Sequence, residues 1–252
     1  MNSVILETKK LCKTFSTGGI QQHVLKNLDL YIYEKDFTVI MGASGGGKST
    51  LLYALSGMDT PSLGGVMFGG MDIAKLNQDR LALFRRHNCG FVFQQIYLVD
   101  SMSIMDNVLS SGLLVNRNKQ AVLARAKQLL STVGLDETLW RKLPTQMSGG
   151  EAQRVGIVRA IINNPKVLFA DEPTGSLNST TSKSVLDLLT KFNEEGQSIV
   201  MVTHDTKSAL RGNRILFLRD GRIEGELMLD KYSAGDAGRQ AKMAEFLSAM
   251  GF

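Results

Sequence analysis

A chain of 252 residues can bury a sizeable core, and 43% hydrophobic against 21% charged residues is the balance of a folded globular protein, which excludes large-scale disorder. The formal charge of +5 at pH 7 is scattered rather than gathered into a basic stretch, so solvated faces account for it and no nucleic-acid partner is expected. No run approaches the roughly 18 consecutive apolar residues that cross a bilayer, and the opening MNSVILETKK lacks a signal peptide's basic-then-apolar order, so the chain is expected to stay where it is made.

Val4 to Leu6 and Val24 to Ile32 predict short strands with alternating apolar residues around a turn at Gly18 and Gly19, an antiparallel beginning. Cys12 lies between them and Cys89 far beyond; without CxxC or His-rich spacing they form neither a disulfide framework nor a zinc site and are expected as core thiols. The run from Phe37 to Met41 predicts a strand that ends at Gly42 in a glycine-rich loop, and helical character follows from Ser49 to Leu55. Gly64, Gly65, Gly69 and Gly70 bracket a strand-like Val66-Met67-Phe68 and read as turns.

Between about residues 119 and 133, Val122, Ala126, Leu129, Leu130 and Val133 recur at helical spacing, with Gly134 placed to end a helical insert. Two further apolar runs, Val167 to Ala170 and Ser198 to Thr203, with a helical stretch between them, predict central parallel strands. In the tail, Met243, Phe246, Leu247 and Met250 share one face of a short helix expected to pack on its own domain. The pattern as a whole predicts an α/β protein.

Gly42-Ala43-Ser44-Gly45-Gly46-Gly47-Lys48-Ser49-Thr50 satisfies the phosphate-loop pattern in full, between a predicted strand and a predicted helix. Glycines let successive backbone N–H groups turn inward around phosphate oxygens at a helix N-terminus that carries about half a positive charge. Lys48 adds a full charge toward the β- and γ-phosphates, and the Ser49 hydroxyl suits Mg²⁺, a hard cation that prefers oxygen ligands. Asp171 and Glu172 follow an apolar strand to its C-terminal edge, where open α/β sheets bind ligands. There Asp171 can hold Mg²⁺ through water and Glu172 can deprotonate an attacking water, although an isolated pair of this kind is more often plain surface. Ser148-Gly149-Gly150-Glu151 fits a capping box, and its two glycines also leave a helix end open to an anion.

The order of phosphate loop, Gln94, Ser148-Gly149-Gly150-Glu151, Asp171-Glu172-Pro173 and His204 resembles the ABC ATPase family across nearly the whole chain. The resemblance implies a P-loop NTPase core with a mixed or parallel sheet, an N-terminal antiparallel β subdomain and an inserted α-helical subdomain. One ABC ATPase domain would fill residues 1–252, with the core at about 1–93 and 165–228, the helical subdomain at about 94–164 and a tail helix at about 229–252. It implies ATP and Mg²⁺ as cofactors, Phe15 stacked on adenine, Gln94 touching Mg²⁺ and the attacking water, and His204 touching the γ-phosphate. It also implies that the Ser148 helix completes the site of a second ATPase subunit, an identical copy in the simplest case, and that an integral membrane permease tethers the pair to the cytoplasmic side of the membrane.

Two positions depart from the family's usual pattern. Met147 replaces a Leu, a volume-conserving change costing under about 1.5 kcal/mol, and Asn178 stands where an Asp usually reaches across the dimer, keeping the shape but losing the charge. The wording around Gln94, Asp171 and His204 is similar to the branch serving lipoprotein release, macrolide efflux and bacitracin-type antimicrobial peptide resistance. A division-type ABC ATPase that signals through a membrane partner without transport is the alternative, although such subunits are usually shorter than this chain. A nonhydrolysing sensor would not be expected to retain Glu172, Gln94 and His204 together.

Overall fold

The computed structural model describes residues 3–252. It divides into two compact units, Met1–Ala82 with Asn193–Phe252, and Leu83–Phe192. In chain order the first unit opens with β1 (Val4–Thr17), β2 (Ile20–Tyr33), β3 (Phe37–Met41), α1 (Lys48–Leu55), β4 (Leu63–Phe68) and β5 (Met71–Asp72). Helix α2 (Gln78–Asn88) carries the chain into the second unit, which continues with β6 (Cys89–Phe93), α3 (Ile104–Val115), α4 (Lys119–Thr132), α5 (Gly149–Ile161), β7 (Val167–Asp171) and α6 (Ser179–Glu194). The return to the first unit brings β8 (Ser198–Val202), α7 (Thr206–Ala209), β9 (Arg214–Arg219), β10 (Arg222–Met228) and α8 (Ala237–Ala249).

In the first unit β2, β1, β4 and β5 form an antiparallel sheet in that order. Leu28, Leu30 and Ile32 alternate buried with exposed neighbours, the period of a strand with one wet face. Both β1 and β2 run well past the apolar segments that announce them. Ladder pairing such as Phe15 with Gln22 and Thr17 with Ile20 extends the hairpin through polar sequence up to the turn at Gly18 and Gly19. Gly69 and Gly70 form the expected turn, but Gly64 and Gly65 lie inside β4 rather than in one. Gly64 (φ +83°) passes so close to the β1 bulge that a Cβ there would sit 2.3 Å from the Lys10 carbonyl oxygen.

The same unit holds the strand order β10-β9-β3-β8. β3 pairs in parallel with β8, Val39 opposite Met201, and with β9, Val39 opposite Ile215. All residues of β3 and β8 are buried, which explains why both read as continuous apolar runs. β9 and β10 are an antiparallel pair that the sequence pattern does not announce, since β10 alternates exposed and half-buried residues.

In the second unit β6 and β7 pair in parallel, Val92 opposite Ala170. Helix α4 starts at its cap Asn118, whose side chain accepts from the Ala121 N–H at 3.1 Å. It buries Val122, Ala126, Leu129 and Leu130, with α3 and α5 as neighbours, and ends beside Gly134 (φ +74°) as its sequence predicts.

The thiols depart from expectation. Cys12 and Cys89 are both half-buried thiols rather than core residues. Cys12 Sγ accepts from the Asn27 N–H at 3.2 Å, a polar role in a sheet bulge. Burial pushes the Cys89 thiol well above its ordinary range, with nearby Arg85 opposing the shift.

Helix α8 packs on its own unit: Met243 and Leu247 are buried, and the Phe246 ring meets Phe217 edge-on with centroids 6.5 Å apart. Its anchor is Arg239, which donates to the carbonyls of Leu210 and Asp230 at 2.6 Å each and to that of Gly212. Replacing it with an apolar chain strands these carbonyls in a buried place. Arg239→Met is therefore expected to lower stability by about 2–3 kcal/mol, seen as a lower urea midpoint with the helix content of residues outside α8 retained.

Candidate nucleotide site

The phosphate loop leaves the buried end of β3 and enters α1. A Cβ at Gly42 would lie 2.1 Å from the Leu218 carbonyl oxygen of β9, so only glycine lets the chain turn there. α1 follows its N-cap Gly47 (φ +92°), which has no side chain with which to cap the helix. Lys48 is 7% exposed, and its ammonium donates to the carbonyls of Gly42 and Ala43 at 2.9 Å each, inside the curve of the loop. Ala43, Ser44 and Gly45 are exposed along the outer loop, and Ser49 and Thr50 are half-buried in the first turn of α1.

His204 follows β8 and is exposed. Parallel pairing of Ile40 with Val202, continued by the Thr203 N–H donating to Ile40 O at 3.2 Å, brings the end of β8 beside the end of β3. The phosphate loop and His204 thus open at one sheet edge, the edge where parallel strands bind ligands. Phe15 stands on β1 with 43% of its surface exposed, and the Lys13 ammonium lies 5.0 Å from its ring centroid, a neighbour the sequence reading did not foresee.

The second unit carries Gln94, the Ser148 helix, Asp171, Glu172 and Asn178. Phe93 of β6 lies opposite Asp171 of β7, so Gln94 and Glu172 leave neighbouring parallel strands at the same end. The Gln94 side chain lies against Gly175, where a Cβ would be 2.8 Å from Nε2. Gly175 N–H in turn donates to the Glu172 carbonyl at 3.0 Å, closing a tight turn. Glu172 adopts φ +45°, a left-handed conformation costing a non-glycine residue about 1–2 kcal/mol. Strain of this kind persists only where surrounding structure imposes it, and it clusters at functional sites.

Ser148 caps α5: its hydroxyl accepts from the Glu151 N–H at 3.3 Å, while the Glu151 carboxylate accepts from the Ser148 N–H at 2.8 Å and from its hydroxyl at 2.7 Å. Ser148 and Gly149 are exposed and Gly150 is buried, where a Cβ would strike the Thr181 methyl at 2.2 Å. Asn178 uses its side-chain oxygen to accept from the Thr181 N–H at 3.0 Å, capping α6. Gln153 lies outside the Ser148–Glu151 motif that the sequence announces; it is 1% exposed on α5 and donates to the carbonyls of Phe93 and Pro173. Its signal was available: a polar residue on a helix face otherwise lined by Gly156, Ile157 and Ala160.

Ser49, Gln94 and Asp171 offer a hydroxyl, an amide oxygen and a carboxylate, all hard oxygen donors. Among the described residues no cluster of three or more His, Cys, Asp or Glu could cage an ion. Each of these three residues is an oxygen donor of the kind Mg²⁺ accepts, an ion that retains waters and takes phosphate oxygens rather than demanding an all-protein site.

A family model described as ABC transporter matches residues 25–175. An uncharacterized ABC transporter ATP-binding protein of Methanocaldococcus jannaschii is 42% identical over 219 residues, covering 87% of this chain and 97% of that protein. The macrolide export ATP-binding/permease protein MacB of Wolinella succinogenes is 40% identical over 223 residues, which is 88% of this chain but 34% of MacB, so the chain spans about a third of that relative. Among solved structures, the ATP-binding cassette MJ0796, a dimer in a post-hydrolysis state bound to ADP and Pi, superposes with a TM-score of 0.83 at 38% identity, covering 90% of this chain and 100% of that one.

The capping box makes a pH-dependent contribution. Hydrogen bonds from the Ser148 N–H and hydroxyl hold the Glu151 carboxyl below its usual range, with Arg154 and Lys142 adding to the effect and partial desolvation opposing it. A carboxyl lowered by folding stabilises fully above its ordinary value of about 4.3 and loses that contribution as pH falls through the lowered value. Ser148→Ala should therefore cost about 1 kcal/mol at neutral pH, and the stability gap between the parent and Glu151→Gln should narrow between about pH 7 and pH 3; urea unfolding at both values checks this, and a gap that widens in acid contradicts it. With the family model spanning more than half of its length and a relative matched almost end to end, the chain belongs to the ABC transporter family, as an ATP-binding cassette that hydrolyses ATP.

Proposed function

We propose that this chain is the ATPase subunit that powers a separate membrane permease for export or extraction of an amphipathic cargo: an antimicrobial peptide, a lipoprotein or a drug. The observation that carries the catalytic part is the joint exit of Gln94 and Glu172 from β6 and β7, with Glu172 held in a strained backbone turn. Pairing with a permease is supported by the MacB relative, which joins ATP-binding and permease functions.

In this reading the N–H groups from Gly42 to Thr50 and the Lys48 ammonium bind the triphosphate, and Phe15 stacks on adenine. Ser49 and Gln94 would hold Mg²⁺, with Asp171 reaching it through water, and the ion would supply charge neutralisation at the triphosphate. Gln94 orients the attacking water, Glu172 takes its proton, and His204 donates to the γ-phosphate as negative charge builds there. Ser148, Gly149 and Gly150 present the N-terminus of α5 to the ATP of a second subunit, with Glu151 fixing that helix end from behind. The single phosphate loop and single Ser148 motif, and the dimeric state of MJ0796, support two copies closing around two nucleotides.

Glu172→Gln keeps a hydrogen-bonding side chain but cannot accept the proton. It is expected to bind ATP, hold the dimer and lose turnover by a factor of about 10²–10⁴; release of phosphate at the parent rate, or turnover by a strict monomer in sedimentation, defeats the proposal. Asn178→Asp retains the α6 cap and adds a charge. Its ATP affinity should match the parent while the cooperativity of turnover changes, and identical turnover curves would remove Asn178 from the coupling between sites.

A further inference from the structure

Helix α5 grips the backbone on both sides of Gln94. Before it, the Gln153 amide donates to the Phe93 carbonyl at 3.1 Å and, with its other proton, to the Pro173 carbonyl at 2.8 Å. After it, the Arg159 guanidinium donates to the carbonyls of Ile96 and Tyr97 at 2.6 Å each, a two-pronged hold on consecutive peptides. Between the two grips Gly156 lets the helix come close, since a Cβ there would lie 3.2 Å from the Ile96 side chain. Phe93 precedes Gln94 and Pro173 follows Glu172, so one buried amide joins the two peptide segments that carry them.

The orientation of Gln153 is fixed by its partners. Both are carbonyl oxygens, so only the NH₂ end can face them. Its Oε1 is left buried without a hydrogen-bond partner, an arrangement unfavourable for stability alone. Desolvation pulls the Arg159 pKa down, as expected for a cation placed against peptide carbonyls rather than a carboxylate. Packing would be served as well by an apolar side chain; the hydrogen-bond pattern is what fixes the distance between the two segments.

We propose that Gln153 and Arg159 are positioning residues for ATP hydrolysis: from the helix that carries Ser148 they hold Gln94 and Glu172 in register. The inference rests on the roles proposed above for Gln94 and Glu172. It also places the receiving end of α5 and the water-orienting segment on one rigid support, since both grips lie on that helix.

The test is a cycle in the full chain of Gln153→Met, Gln94→Ala and the double variant, with thermal melting alongside. Gln153→Met keeps the length and burial and removes both donors. Its kcat should fall by about 10–100-fold with KM for ATP within about twofold of the parent, and in the Gln94→Ala background it should cost little more, because there is no longer an amide to position. Arg159→Lys, which keeps the charge but not the fork, should repeat the pattern and serves if Gln153→Met fails to fold. A parent-like kcat with only a lower melting temperature, or losses that multiply in the double variant, overturns the inference. If Glu172→Gln is inactive while Gln153→Met keeps its kcat, this inference alone falls; if Glu172→Gln hydrolyses at the parent rate, the functional reading falls with it.

Discussion

Strand β3 is buried over its whole length and is paired in parallel on both sides, with β8 and β9. A strand so placed has no freedom of register, because a slip of one residue would break two ladders and misplace every side chain it buries. The start of the phosphate loop inherits that rigidity. Gly42 is pressed to the Leu218 carbonyl of β9, and His204 emerges from β8 one strand away. Under the proposed function, phosphate recognition in the first unit would be a property of backbone placement, with Lys48 as the charged group that the backbone encloses.

The second unit repeats the logic with side chains. β6 and β7 set the level at which Gln94 and Glu172 leave the sheet, and α5 determines how the following segments run. Glu172 pays a conformational penalty that the turn through Gly175 and the anchoring of Pro173 by Gln153 sustain. The same helix ends in a capping box whose donors and acceptors are mutually satisfied, so the exposed Ser148 tip is held in a defined shape.

Much of this was legible in the sequence, for identifiable reasons. β3, β7 and β8 are apolar on both faces and stand out as short continuous runs. The phosphate loop and the Ser148 motif are local, with every needed residue within a few positions. What escaped depends on distance along the chain. The polar ends of β1 and β2 are strands because of ladder bonds to each other, Gly64 is a strand residue because β1 bulges at Lys10, and Gln153 matters through partners 60 and 20 residues away. β10 escaped because its alternation is between exposed and half-buried positions, too weak a contrast to mark a face.

The way Arg239 fastens α8 has a consequence for how sequence change is tolerated. Its three acceptors are main-chain oxygens of Leu210, Gly212 and Asp230, and every amino acid supplies such an oxygen. The dependence is one-sided: the receiving positions can vary in chemical identity as long as the chain trace is kept, while the donor has no substitute with the same forked reach. Evolutionary drift at the docking surface of the tail is thus decoupled from its attachment, and a single codon holds the information that both sides of an ordinary side-chain pair would have to share.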